Sequence, residues 1–134
     1  MGATQQHVCG RPWTLGPLAV PPEVATLEHL RRCSVIAHEA LVAHPEVAIE
    51  TLLTLGSPLG SPPFMTEGEW PGSTARWVNV VAITDPVALP GRVQDRFGSR
   101  VEERLIDNGH RGHHPEPYLN SRAVGEVIAA TLAN

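Results

Sequence analysis

At 134 residues the chain has room for one small domain, and 42% hydrophobic against 18% charged residues is the balance of a globular chain. A net charge of −4, with Arg31-Arg32 the sole adjacent basic pair, leaves no stripe to track phosphates, so no nucleic-acid partner is expected. No run of about 18 apolar residues is present, so no membrane span is expected either.

Residues 1–20 show no sustained hydrophobic period and carry Gly and Pro at irregular intervals, which predicts an irregular arm ahead of a domain over 21–134. No basic region followed by an apolar core opens the chain, so no secretory leader is expected. Cys9 and Cys33 have neither metal nor redox spacing and read as reduced thiols of a cytoplasmic chain. Pro21-Pro22 then opens a helical pattern, with Glu23 suited to the positive end of the helix dipole. Val24, Leu27, Leu30, Ser34, Ala37 and Leu41 follow at helical spacing, and Pro45 ends the pattern.

Ile49–Leu55 is a short apolar run stopped by "GSPLGSPP", the signature of a buried strand. Residues 57–73 read as a long loop, and a loop of that length inside a compact domain is usually functional or mobile. In "RWVNVVAIT", residues 76–84, the apolar run is almost continuous, as in a parallel strand covered on both faces by helices. After Asp85-Pro86 come a turn, a short helix within Val87–Phe97 and a weak strand near Glu103–Ile106. Gly109, Gly112, Pro115 and Pro117 prevent regular structure over the full length of "DNGHRGHHPEPY", residues 107–118. A last helix over Ser121–Leu132 places Val124, Val127, Ile128 and Leu132 on one face, with Ser121 or Asn120 as N-cap.

This order predicts an α/β fold with two to three parallel strands flanked by helices. So small a parallel sheet seldom stands alone, because its strands need cover on both faces. The pattern therefore reads as one half of a larger sheet.

Chemistry is expected at the carboxyl ends of the strands, where open α/β sheets gather their reactive groups. Asp85 follows the second strand, and His110, His113 and His114 lie in the loop after the weak third one. An acid followed by a loop histidine suits a pair in which the carboxylate holds one imidazole nitrogen and the other accepts a proton. Asp85 before Pro86 is also a common turn former. The spacing His110-x-x-His113-His114 has no Cys or paired carboxylate beside it, so no metal and no cofactor are expected.

"VIAHEALVAHPE", "LLTLGSPLG", "WVNVVAITDPVAL" and "IDNGHRGHHPEPYL" occur in an order that resembles lipase- and esterase-like α/β-hydrolases, a bacterial serine hydrolase or serine-peptidase-like group. The resemblance spans residues 34–132. It implies a serine hydrolase that cleaves esters or lipid esters by acyl transfer, with Asp85 matching the triad acid and His113 the base; His110 and His114 remain competitors.

The same resemblance implies a loss. The family's Gly-His-Ser-Leu-Gly elbow falls on His29-Leu-Arg-Arg-Cys33, with Arg31 at the nucleophile position and neither flanking glycine present. Those glycines allow the strained turn that exposes the serine, and the following N–H belongs to the oxyanion hole. Ser34 lacks the elbow frame, Cys33 sits in a helical pattern, and Ser57 belongs to the strand-end feature. The expectation is thus a truncated α/β-hydrolase-like domain that retains acid and histidine and is inactive alone. A complementary hydrolase half would supply the nucleophile. Two alternatives stand beside it. One is a non-catalytic module that pairs through an exposed sheet edge, in a homo-oligomer or with another chain. The other is a mis-started or decayed hydrolase reading frame.

Overall fold

The computed structural model describes residues 7–8, 11–12, 22–61 and 68–133, with side chains from Cys33 onward. Its organising element is a strand of ten residues, Ser73–Ala82, whose last six residues, Trp77 to Ala82, are all buried. Side chains alternate across a strand, so Val78, Val80 and Ala82 face one layer and Trp77 the other. A continuous apolar run is what such two-sided burial requires.

In chain order the elements are β1 (His7–Val8), β2 (Arg11–Pro12), α1 (Pro22–Ala43), β3 (Ala48–Leu55), a 3-10 turn (Pro58–Gly60), β4 (Ser73–Ala82), α2 (Val93–Phe97), β5 (Val101–Ile106), α3 (Pro115–Leu119) and α4 (Arg122–Leu132). β3, β4 and β5 form a parallel sheet in that order. Its register sets Leu55 opposite Val80 and Ala82 opposite Ile106. The chain is thus an α/β fold, a three-stranded parallel sheet flanked by helices. None of the helices among the described residues is long and apolar enough to cross a membrane.

One face of the sheet carries Val78, Val80 and Ala82 against Tyr118, Val124 and Val127, from α3 and α4. The other packs Trp77 and Val101 with Leu59, Val93 and Phe97, and Val35 of α1 leans on this cluster. Dense apolar burial of this kind is the main stabilising term of a small domain.

Several boundaries differ from the sequence expectation. β1 and β2 pair antiparallel within the arm read as irregular, the rest of which lies outside the described residues. β4 starts at Ser73, three residues before the apolar run, because its polar start pairs in register with Ala48–Thr51. Arg76 is held there by both carboxylate oxygens of Glu102, at 2.7 and 2.8 Å. β5 starts at Val101, which is fully buried.

Ser121 is the N-cap of α4, its hydroxyl accepting from the Val124 N–H at 3.2 Å. The apolar face expected of α4 is only half used. Val124 and Val127 are buried, whereas Ile128 and Leu132 are 48% and 81% exposed. α4 packs on β3 and β4, and that contact covers only Val124 and Val127 of the four. In α1, His38 joins Ser34 in the buried line, which the apolar spacing alone did not show.

Candidate functional site

β4 stops at Ala82, and the turn that follows folds Asp85 back under the end of the sheet, where it is fully buried. Its two carboxylate oxygens have different work. Oδ1 accepts from the Val87 N–H at 2.8 Å and more weakly from the Ala88 N–H at 3.4 Å, fixing the turn. Oδ2 accepts from Nδ1 of His113 at 2.6 Å and from the Tyr118 hydroxyl at 2.5 Å. The turn role and the histidine-holding role that the sequence left as alternatives are therefore both filled, one by each oxygen.

Burial pushes the Asp85 carboxyl up, but the donors from His113, Tyr118 and the Val87 N–H outweigh it and hold the group below the ordinary carboxylate value. An ionised carboxylate only accepts, so the hydrogen between the two groups sits on Nδ1 of His113. In the neutral ring, Nε2 then carries the acceptor lone pair. That atom is buried and has no hydrogen-bond partner among the described residues. The ring, with Leu55, Pro115, Tyr118 and Leu119, lines a cavity of about 40 Å³.

The loop between β5 and α3 delivers His113 through a side-chain bracket. Asn108 accepts from the Thr84 hydroxyl at 2.5 Å, next to Asp85 in sequence. Its amide donates to the carbonyl of Gly112, next to His113. One buried asparagine thus ties the acid's turn to the histidine's loop. Gly56, the first residue after β3, completes the enclosure. A Cβ there would lie 2.5 Å from Oδ2 of Asp85, 2.9 Å from Cε1 of His113 and 2.9 Å from the Tyr118 oxygen. Its φ of +56° also favours glycine.

Of the three competing loop histidines, only His113 meets Asp85; His110 and His114 are exposed. No group of three His, Cys, Asp or Glu among the described residues is placed to hold a metal ion. α1 runs unbroken through His29–Cys33, so an ordinary helix occupies the position where the resemblance sets the elbow. Ser34 is buried in that helix and Cys33 is exposed on it. Ser57 is buried and caps the 3-10 turn, its hydroxyl accepting from the Leu59 N–H at 3.3 Å. None of the three is hydrogen-bonded to His113.

Sequence reasoning missed Tyr118, Asn108, Thr84 and Gly56. The available signal was position: Gly56 and Thr84 lie at or just beyond strand ends, and Tyr118 and Asn108 lie in the segment that carries the histidines. No family model, curated protein or solved structure matches this chain.

Proposed function

We propose that this chain provides the acid–histidine part of a serine-hydrolase-type acyl-transfer site, with Asp85 orienting His113 and His113 acting as general base through Nε2. The observation that carries the reading is the asymmetry of the His113 ring. Nδ1 is held by a buried ionised carboxylate, while the opposite nitrogen has no partner among the described residues. The carboxylate is the part that weighs: a charge buried behind one ring nitrogen favours a proton arriving on the other. In an acyl transfer, Nε2 takes the proton of a hydroxyl as that oxygen attacks an ester carbonyl, then returns it to the leaving alcohol. Asp85 stabilises the imidazolium formed between those two steps and keeps its own charge.

On this reading the hydroxyl nucleophile comes from a complementary hydrolase half, since α1 is continuous where the elbow would stand. Fluorophosphonate labelling tests it, using the chain alone and the chain co-expressed with the product of the adjoining upstream DNA. The expected result is no label on the chain alone, and a label on a serine of the co-expressed half that is lost with His113→Ala. Labelling of the chain alone that His113→Ala abolishes would overturn the missing-nucleophile part. Labelling of the pair that His113→Ala leaves intact would overturn the base role.

A second reading, a module that pairs through its sheet edge, has its own support. β3 pairs with β4 on one side and with no described strand on the other, and Ile128 and Leu132 of α4 are exposed. Unpaired strand edges invite pairing. Light scattering across a concentration series tests it; a mass that stays monomeric throughout would count against self-pairing.

A further inference from the structure

We infer that Tyr118 is a positioning residue for the Asp85–His113 pair, holding Oδ2 in place and sharing it with the imidazole so that the hydrogen stays on His113. The inference rests on the reading of His113 as a base and adds a third member to its site.

The argument starts at the end of the β3–β4 ladder. Leu55 is the last β3 residue in register, opposite Val80, and the Gly56 N–H closes the edge on the Val80 carbonyl at 2.8 Å. The next N–H on that side of β4, Ala82, lies past the end of β3. The Tyr118 oxygen accepts it at 2.9 Å. The hydroxyl hydrogen goes to Oδ2 of Asp85. The phenol is therefore fixed at both ends, to the backbone of β4 and to the carboxylate. The ring is 2% exposed and packs with Val78, Val80, Val124 and Val127, so its direction is set by the core. Burial, and then the bond to the carboxylate, push the Tyr118 hydroxyl well above the ordinary phenol value, which keeps it a donor.

Two consequences follow for His113. With Val87 and Ala88 on Oδ1 and Tyr118 on Oδ2, the carboxylate cannot rotate, so the imidazole plane and the direction of Nε2 are fixed. And Oδ2 divides its electron density between two donors, so its pull on the Nδ1 hydrogen is moderated. A residue with only a packing role would have the first contacts and lack the second effect.

The chain has one tyrosine, so biosynthetic replacement of tyrosine by 3-fluorotyrosine alters this hydroxyl alone and leaves the ring in the core. The measurement is the proton resonance of His113 Nδ1–H in the 15N-histidine-labelled protein, assigned by its loss in His113→Gln. Fluorination makes the phenol a stronger donor, and the resonance is expected to move upfield as Oδ2 is drawn toward Tyr118. In Tyr118→Phe the competing donor is gone, and the resonance is expected to move downfield. An unchanged resonance in both forms overturns the positioning role while leaving the Asp85–His113 pair standing. Absence of the resonance from the unmodified protein overturns the pair itself, and with it the inference. If Tyr118→Phe fails to fold, the fluorinated protein decides alone.

Discussion

Two histidines are buried among the described residues, and they are bonded in opposite ways. His38 is 3% exposed and His113 is 5% exposed, and each has one ring nitrogen paired and the other without a partner among the described residues. His38 uses Nε2, paired with the backbone carbonyl of Glu69 at 2.8 Å. Its ring sits among aromatics, 5.7 Å from Trp77 and 5.1 Å from Phe97 by centroids. The bond that fixes this ring therefore ends on a neutral carbonyl and not on a carboxylate. His113 instead faces a carboxylate at the strand ends, which would stabilise the imidazolium that proton transfer creates. Burial and an unpaired nitrogen are therefore poor guides alone; the charge behind the ring separates a packing histidine from a candidate base.

The sharpest way to break this contrast is to remove each ring in turn. In the complemented labelling experiment, Asp85→Asn is expected to slow labelling on the order of 10,000-fold and His113→Ala on the order of a million-fold, the losses that serine-hydrolase triads show for the acid and the histidine. His38→Ala is expected to lower the melting temperature and leave the labelling rate of the folded fraction near the unsubstituted level. Equal losses from His38 and His113 would erase the distinction.

Next in size is Gly56→Ala. Its Cβ collides with three members of the His113 site and forces a side chain into a left-handed backbone, together costing about 2–4 kcal/mol in urea unfolding. Smaller again is Asn108→Ala, which strips the bracket between Thr84 and Gly112; the Thr84 hydroxyl keeps the Gly109 carbonyl, while the Gly112 carbonyl loses the Asn108 amide, at about 1–3 kcal/mol. Because the bracket holds the His113 loop and not α1, its loss should broaden the His113 ring signals and leave those of His38 sharp.

The strands were legible because their composition is one-dimensional information. Trp77 to Ala82 reads as a doubly buried strand without any knowledge of its neighbours, and it is one. Asp85 was legible too, being the first acid past that strand. The choice among His110, His113 and His114 was not, since three polar residues in a glycine-rich loop differ only in where the loop points them. α3 was hidden for a different reason. Pro115 and Pro117 look like breakers, yet both fall in the first turn of Pro115–Leu119, where the N–H groups have no intrahelical partner and proline removes nothing. With α3 unseen, Tyr118 had no direction and no role. α4 failed in the other sense: Ile128 and Leu132 follow the helical stripe faithfully, but packing on β3 and β4 covers only its first half.

The smallest effect expected is on acid stability, and it bears on the same contrast. The Asp85 carboxyl is held below its ordinary value of 3.8 in the folded chain. A depressed acid contributes stability that is fully present above its unfolded-state value and is lost as pH falls through the folded one. Urea unfolding measured from neutral pH downward should thus steepen below about pH 4, by at most about 1.4 kcal/mol per pH unit for one proton. Other acids share this region, because Glu102 is also lowered, chiefly by its bond to Arg76. The informative quantity is therefore the difference from Asp85→Asn, in which the Asp85 share of the slope should vanish. His38→Phe serves as the matched control. Removal of His38 takes away a bond to a neutral carbonyl and touches no carboxylate, so the Asp85 share of the acid slope should remain. A slope in Asp85→Asn as steep as in the unsubstituted chain would mean that the carboxylate behind His113 is not stabilised as the hydrogen bonds require, and the charge that distinguishes the two histidines would be lost with it.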